Sequence, residues 1–156
     1  MTPTIRFATP EDAPAISALI IELQPFLTIA PDATGAEQFI ATIQPEVIAA
    51  NIRAENYRYQ VATVDSALAG VVAVRDNAHL FSLYVAQAWH GKGVGRKLWD
   101  AARDDALARG NPGSFTVNSS TFAEQVYRGW GFQPTAEVQE MHGLRFIPMR
   151  IDQREL

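Results

Sequence analysis

Gly91, Gly93 and Gly95 alternate with Lys92, Val94 and Arg96, shortly after an apolar run that ends at Ala86 and directly before an amphipathic one. This junction restricts the fold more than any other stretch: a strand enters it, a helix leaves it, and the glycines allow backbone angles closed to other residues. The first amides of a helix have no intrahelical acceptor, and the helix dipole concentrates partial positive charge there. With Lys92 and Arg96 alongside, the junction suits an anion, and the expected ligand carries phosphate.

Two other phosphate loops are excluded by spacing. A nucleoside-triphosphatase loop needs a Lys followed by Ser or Thr for magnesium, and neither follows Lys92. A dinucleotide loop needs Gly-x-Gly-x-x-Gly after a first strand, whereas Gly91 and Gly93 are followed at once by Gly95.

Composition narrows the chemistry further. The 156 residues fit one domain able to bury about two thirds of its unfolded surface. No cysteine is present, so disulfides, thiolate metal sites and a cysteine nucleophile are absent. His79, His90 and His142 lack paired ligand spacing, and no metal site is expected. The net charge of −4 argues against general nucleic-acid binding. The N-terminal residues lack a signal-peptide pattern and no apolar run approaches the ~20 residues of a membrane span, so a cytoplasmic protein without membrane contact is expected.

Read in order, residues 4–8 suit a strand. Thr9, Pro10 and Asp12 suit a helix start, and Ala15, Ile16, Leu19, Ile20 and Leu23 form an apolar stripe ending before Pro25. Residues 25–35 mix apolar residues with breakers, and residues 36–54 suit a helical segment broken before Pro45. Strands follow at 58–64 and 67–75 around Asp65 and Ser66. The unbroken apolar run from Gly70 to Val74 predicts a central strand covered on both faces. A strand over 79–86 feeds the glycine junction. Its helix, over 95–109, has an apolar sector that anomalously includes Asp105. A strand over 114–118, a short helix opened by a Thr121–Glu124 capping box, and strands over 132–139 and 144–151 complete the chain.

The run His90-x-x-Gly93-x-Gly95 resembles the (Gln/Arg)-x-x-Gly-x-(Gly/Ala) signature of the GNAT superfamily of acyl-CoA-dependent N-acetyltransferases, with His90 where that family usually has Gln or Arg. A second run, Asn118 with Ala123, Tyr127, Gly131 and Phe132, resembles the pattern that follows the family's fifth strand. The order β-α-α-β-β-β-α-β-α-β-β matches the family over nearly the whole length. The resemblance implies an α/β (α+β) fold: a central mixed, mostly antiparallel twisted sheet of about seven strands with helices on both faces. It also implies acetyl-CoA as cosubstrate, its pyrophosphate held by His90, Gly91, Lys92, Gly93, Val94, Gly95 and Arg96. Asn118 would reach the pantetheine arm, and backbone amides of Tyr84 or Val85 would hold that arm and the carbonyl oxygen where the fourth and fifth strands splay.

The reaction sets its own demands. A thiol has a pKa of about 8.5 and tyrosine about 10, so a placed tyrosine can protonate a departing thiolate, and the resemblance puts Tyr127 there. The ammonium of the acceptor must lose a proton first. His79 lies eleven residues before His90, a spacing at which the resemblance implies a glutamate base in some family members, and is the candidate base, with Glu22, Asp76, Glu140 and His142 as competitors. Without cysteine or a serine elbow, direct attack in a ternary complex is expected. The acceptor is a small amine, walled by residues 26–32 and 143–149, or else a protein amine. Two other readings stay open, a non-catalytic acyl-CoA sensor and a nucleotide-binding protein with an atypical loop. A homodimer is compatible with exposed strand edges near the C-terminus.

Overall fold

A computed structural model describes residues 2–152. The chain opens with β1 (Thr4–Phe7) and a single turn from which α1 (Ala13–Leu27) continues. The Asp12 carboxylate accepts the Thr9 amide at 2.7 Å and pairs with Arg6 at 2.8 Å, so the helix entry is tied to β1. The stripe of α1 is buried through Ala13, Ile16, Leu19, Ile20 and Leu23. The expected stop before Pro25 is not observed, and α1 runs on to Leu27. Pro25 lies on the exposed side, as does Ile21, whose carbonyl loses its partner there, so water can replace the missing bond.

Two short helices follow, α2 (Glu37–Thr42) and α3 (Pro45–Arg53), the break falling before Pro45 as its fixed φ requires. Then come β2 (Tyr57–Val64), β3 (Ala67–Arg75), β4 (His79–Val85), α4 (Val94–Ala108), β5 (Phe115–Ser120), α5 (Glu124–Gly129), β6 (Gln133–Pro134), β7 (Gln139–Met141) and β8 (Leu144–Ile151). The sheet has eight strands in the order β1-β2-β3-β4-β5-β8-β6, with β7 also on β8. All pairs are antiparallel except β4 with β5. The single strand expected over 132–139 is instead two short ones, because the outer edge of β8 accommodates β6 at one end and β7 at the other.

Helices cover both faces. Val71 and Ala73 of β3 pack toward α1 and α3, while Val72 and Val74 pack toward α4 with Leu98, Trp99, Phe115 and Phe132. The unbroken apolar run of β3 thus serves two cores. Asp105, anomalous in the helical pattern, is explained by a half-buried ion pair: its carboxylate takes Arg58 of β2 at 2.7 Å and Arg109 at 3.0 Å, fastening α4 to the sheet. The Thr121–Glu124 capping box does not form. Ser120 Oγ accepts the Ala123 amide at 3.2 Å instead, and Glu124 pairs with Arg128 one turn on.

Candidate active site

β4 and β5 pair only through His79 with Thr116 and Leu80 with Val117, and beyond that they diverge. A bulge in β4 leaves Phe81 without a register partner in β3 just where pairing with β5 ends. An extra residue bends a strand away from its neighbour, so the bulge accounts for the opening. Ala86 donates to the Ala69 carbonyl at 2.9 Å, which makes that a bonded pair. Alternation along an antiparallel ladder then turns the backbone of Tyr84 toward Val71, and that of Leu83 and Val85 toward the opening. Of the two amides expected to hold an acyl-carrying arm, only that of Val85 faces the gap. Leu83, which the sequence did not single out, faces it as well.

A cavity of about 540 Å³ occupies the opening. Its lining draws on both sides of the sheet: Leu23, Phe39 and Tyr84 from the α1 side, and Val94, Tyr127 and Trp130 from the α4 side. His90, Gly91, Gly93, Val94, Gly95, Arg96 and Asn118 also line it, so the glycine junction and the Asn118–Tyr127 run are brought together.

At the junction, Gly91 and Gly93 take φ of +75° and +80°, and a Cβ on either would meet nothing within 4 Å. The loop therefore leaves open space over its backbone. Gly95 differs: it is helical, and a Cβ there would stand 3.6 Å from Trp130 and from Val85, an ordinary van der Waals contact. The first bond of α4 runs from the Lys97 amide to the Gly93 carbonyl at 3.2 Å, which leaves the amides of residues 94–96 for an outside acceptor. Arg96 lines the cavity and pairs with Asp100 at 3.0 Å, and the Lys92 ammonium sits 5.2 Å from the centre of the Trp89 ring. His90 Nε2 donates to the Val85 carbonyl at 2.7 Å, fixing the end of β4 and leaving the Val85 amide as its available group. These residues fit a phosphorylated ligand with an extended arm: a cradle of amides, a cation, and a strand edge lacking a partner.

Tyr127 is 6 % exposed and packs its ring against Trp130 and Phe132. Its hydroxyl makes no hydrogen bond among the described residues. Because no fully buried side-chain polar atom among them lacks a partner, that hydroxyl opens onto the cavity it lines. Burial, and then the nearby Tyr84, push its pKa up. Burial likewise pushes the Tyr84 hydroxyl to about 12, so both keep their protons.

The base candidates lie elsewhere. His79 sits where β4 and β5 are still paired, its Nδ1 2.8 Å from Thr116 Oγ1, and does not line the cavity. Nor do Glu22, Asp76, Glu140 or His142. Glu22 accepts the Gln87 amide at 3.2 Å, and Glu140 pairs with Arg145 at 2.8 Å. Among the described residues no carboxylate lines the cavity. Trp89 and the Phe26–Phe122 ring pair, 5.4 Å apart at the rim, are further lining residues. A tryptophan beside the glycine junction was a readable signal; the ring pair joins residues too distant in sequence to be seen there.

The model of an Acetyltransferase (GNAT) domain matches residues 27–153. Among solved structures, the chain is similar to a GCN5-related N-acetyltransferase from Rhodopseudomonas palustris, at 24% identity over 97% of this chain and 96% of that one, with a TM-score of 0.76. It is similar to the PaiA N-acetyltransferase from Thermoplasma acidophilum in complex with coenzyme A, at 20% identity over 97% and 99%, TM-score 0.75. It is also similar to the spermidine N-acetyltransferase SpeG from Vibrio cholerae, at 18% identity over 99% and 95%, TM-score 0.71. At these identities the likeness is one of fold. No curated protein matches the chain by sequence.

Proposed function

The chain belongs to the GNAT acetyltransferase family, and we propose that it moves an acetyl group from acetyl-CoA to a primary amine by direct attack in a ternary complex. One observation carries the reading: the same cavity touches the glycine junction, the unpaired edge of β4 and an unpartnered tyrosine hydroxyl.

Acetyl-CoA supplies a thioester, an acyl group already activated for attack. The amides at the start of α4 and Arg96 hold its phosphates, with Lys92 nearby. The outward-facing backbone groups of Leu83 give the arm a strand to lie along, and Asn118, whose side chain has no hydrogen bond among the described residues, offers it a polar contact. The Val85 amide donates to the carbonyl oxygen as negative charge gathers there. Tyr127 donates its hydroxyl proton toward the departing sulfur. Among the described residues the cavity has neither a lining carboxylate nor an unpaired imidazole, so the amine is read as entering neutral or losing its proton to water.

The test is thiol release from acetyl-CoA by the purified protein over a panel of amines and peptides, against a control without acceptor. Release that depends on an acceptor is the expected result. Tight acetyl-CoA binding with no acceptor-dependent release across the panel would favour a non-catalytic sensor instead.

A further inference from the structure

Resting on that acetyl-transfer reading, we infer that the acceptor is a compact apolar primary amine with no second positive charge, an arylalkylamine or a hydrophobic amino acid, rather than a polyamine or a basic peptide. The glycine junction and α4 occupy one side of the split sheet, which leaves the α1 side for the acceptor. There the apolar lining is Leu23, Phe26, Leu27, Phe39, Phe81 and Phe146, with the uncharged hydroxyls of Ser82 and Tyr84 beside them. No carboxylate joins them among the described residues, and the one charged side chain at this end is a cation, Arg145.

Charge and shape point the same way. A second ammonium carried into this space would give up its hydration without gaining a counter-ion, and an unpaired buried charge is strongly disfavoured. Tyr84 and Tyr127 provide no anion, since both hydroxyls stay protonated. Aromatic faces do attract cations, but the Phe81 ring already has the Arg75 guanidinium 5.5 Å from its centre. At the rim, Phe26 and Phe122 are 45% and 66% exposed with their rings 5.4 Å apart. Large aromatic surfaces left in water beside a cavity gain most from an apolar ligand that covers them. Arg145 shares its charge with Glu140 at 2.8 Å and can still meet an acceptor carboxylate, so a simple arylalkylamine and a hydrophobic amino acid both satisfy the lining.

Initial rates of thiol release at saturating acetyl-CoA would be compared for 2-phenylethylamine, L-phenylalanine, spermidine and a short lysine-containing peptide, with acetyl-CoA affinity measured separately by calorimetry. The better of the two hydrophobic acceptors should exceed both cationic ones in kcat/KM by about tenfold or more, and whether that is the amine or the amino acid reports on Arg145. Phe26→Glu, an exposed substitution near the end of α1, should lower that acceptor's kcat/KM by about tenfold while leaving acetyl-CoA affinity intact. A preference for spermidine or the peptide overturns the inference. So does acetyl-CoA binding without transfer to either hydrophobic acceptor, and both outcomes leave the coenzyme site standing. Failure to bind acetyl-CoA would instead remove the transferase reading on which the inference rests.

Discussion

Tyr127 takes its part in the site from its surroundings: the ring is locked between Trp130 and Phe132, the hydroxyl is free, and burial keeps it protonated. Tyr127→Phe keeps the packing and deletes the donor. Turnover should fall by about ten- to a thousandfold with acetyl-CoA affinity largely kept, and steady-state kinetics showing unchanged kcat would end its role as donor. His79 has the opposite character. Burial, then Arg75, lowers its pKa, so the folded protein prefers the neutral ring and the unfolded chain binds the proton more readily. Its contribution to stability is therefore complete above the unfolded value of about 6.5 and is lost as pH falls through the lower folded value. Denaturant titrations at pH 7.5 and 5 should show a steeper acid loss for the natural protein than for His79→Asn. The pH–rate profile should be the same in both, since the ring lies outside the cavity; a changed profile would return His79 to the reaction.

At the scale of elements, α4 must be held firmly on two counts: its first turn leaves the amides of residues 94–96 without an intrahelical acceptor beside the cavity, and its inner face carries Leu98, Trp99, Ala102 and Ala106 into the core. The Arg58–Asp105 pair joins it to β2 with each side chain 19% exposed, far less than the Arg96–Asp100 pair at 49% and 39%. Burial decides their worth. Asp105→Ala leaves the Arg58 guanidinium bonded to the Asn77 side chain but without a counter-charge, and should cost about 1–3 kcal/mol in urea unfolding. Asp100→Ala on the exposed face should cost about 0–0.5 kcal/mol. Equal losses would mean that the inner pair does not fasten the helix. The helix pattern exposed Asp105 as an anomaly but not its cause, because Arg58 lies on a strand that only the sheet order brings beneath α4.

Across the whole molecule, the cavity spans both cores, so ligand binding is felt as global stability. Acetyl-CoA at a hundredfold excess over its Kd stabilises a folded state by about 2.7 kcal/mol. For a domain of this size that is a rise in Tm of about 5–10 °C, readable by differential scanning fluorimetry. Gly93→Val places a branched side chain at φ +80° and fills the open space over the loop. It should lower Tm by itself, through about 1–2 kcal/mol of strain, and abolish the ligand-induced rise. An undiminished rise in a folded Gly93→Val protein would remove the junction from the binding site.

The strand–glycine–helix junction, the doubly covered β3, the break before Pro45 and the Asn118–Tyr127 run were all legible in the sequence. The first three depend on interactions within a few residues or on a repeating apolar pattern, which are written locally in the chain, while the Asn118–Tyr127 run was legible through its resemblance to the GNAT pattern. The tertiary structure alone decided that β4 bulges at Phe81, that Val85 rather than Tyr84 turns its amide to the opening, and that His79 stays where the strands are paired. It alone set Phe26 against Phe122 and Arg58 against Asp105. Those outcomes arise from register and packing between segments far apart in sequence, where a shift of one residue reverses which way a backbone group points, and no local pattern encodes that choice.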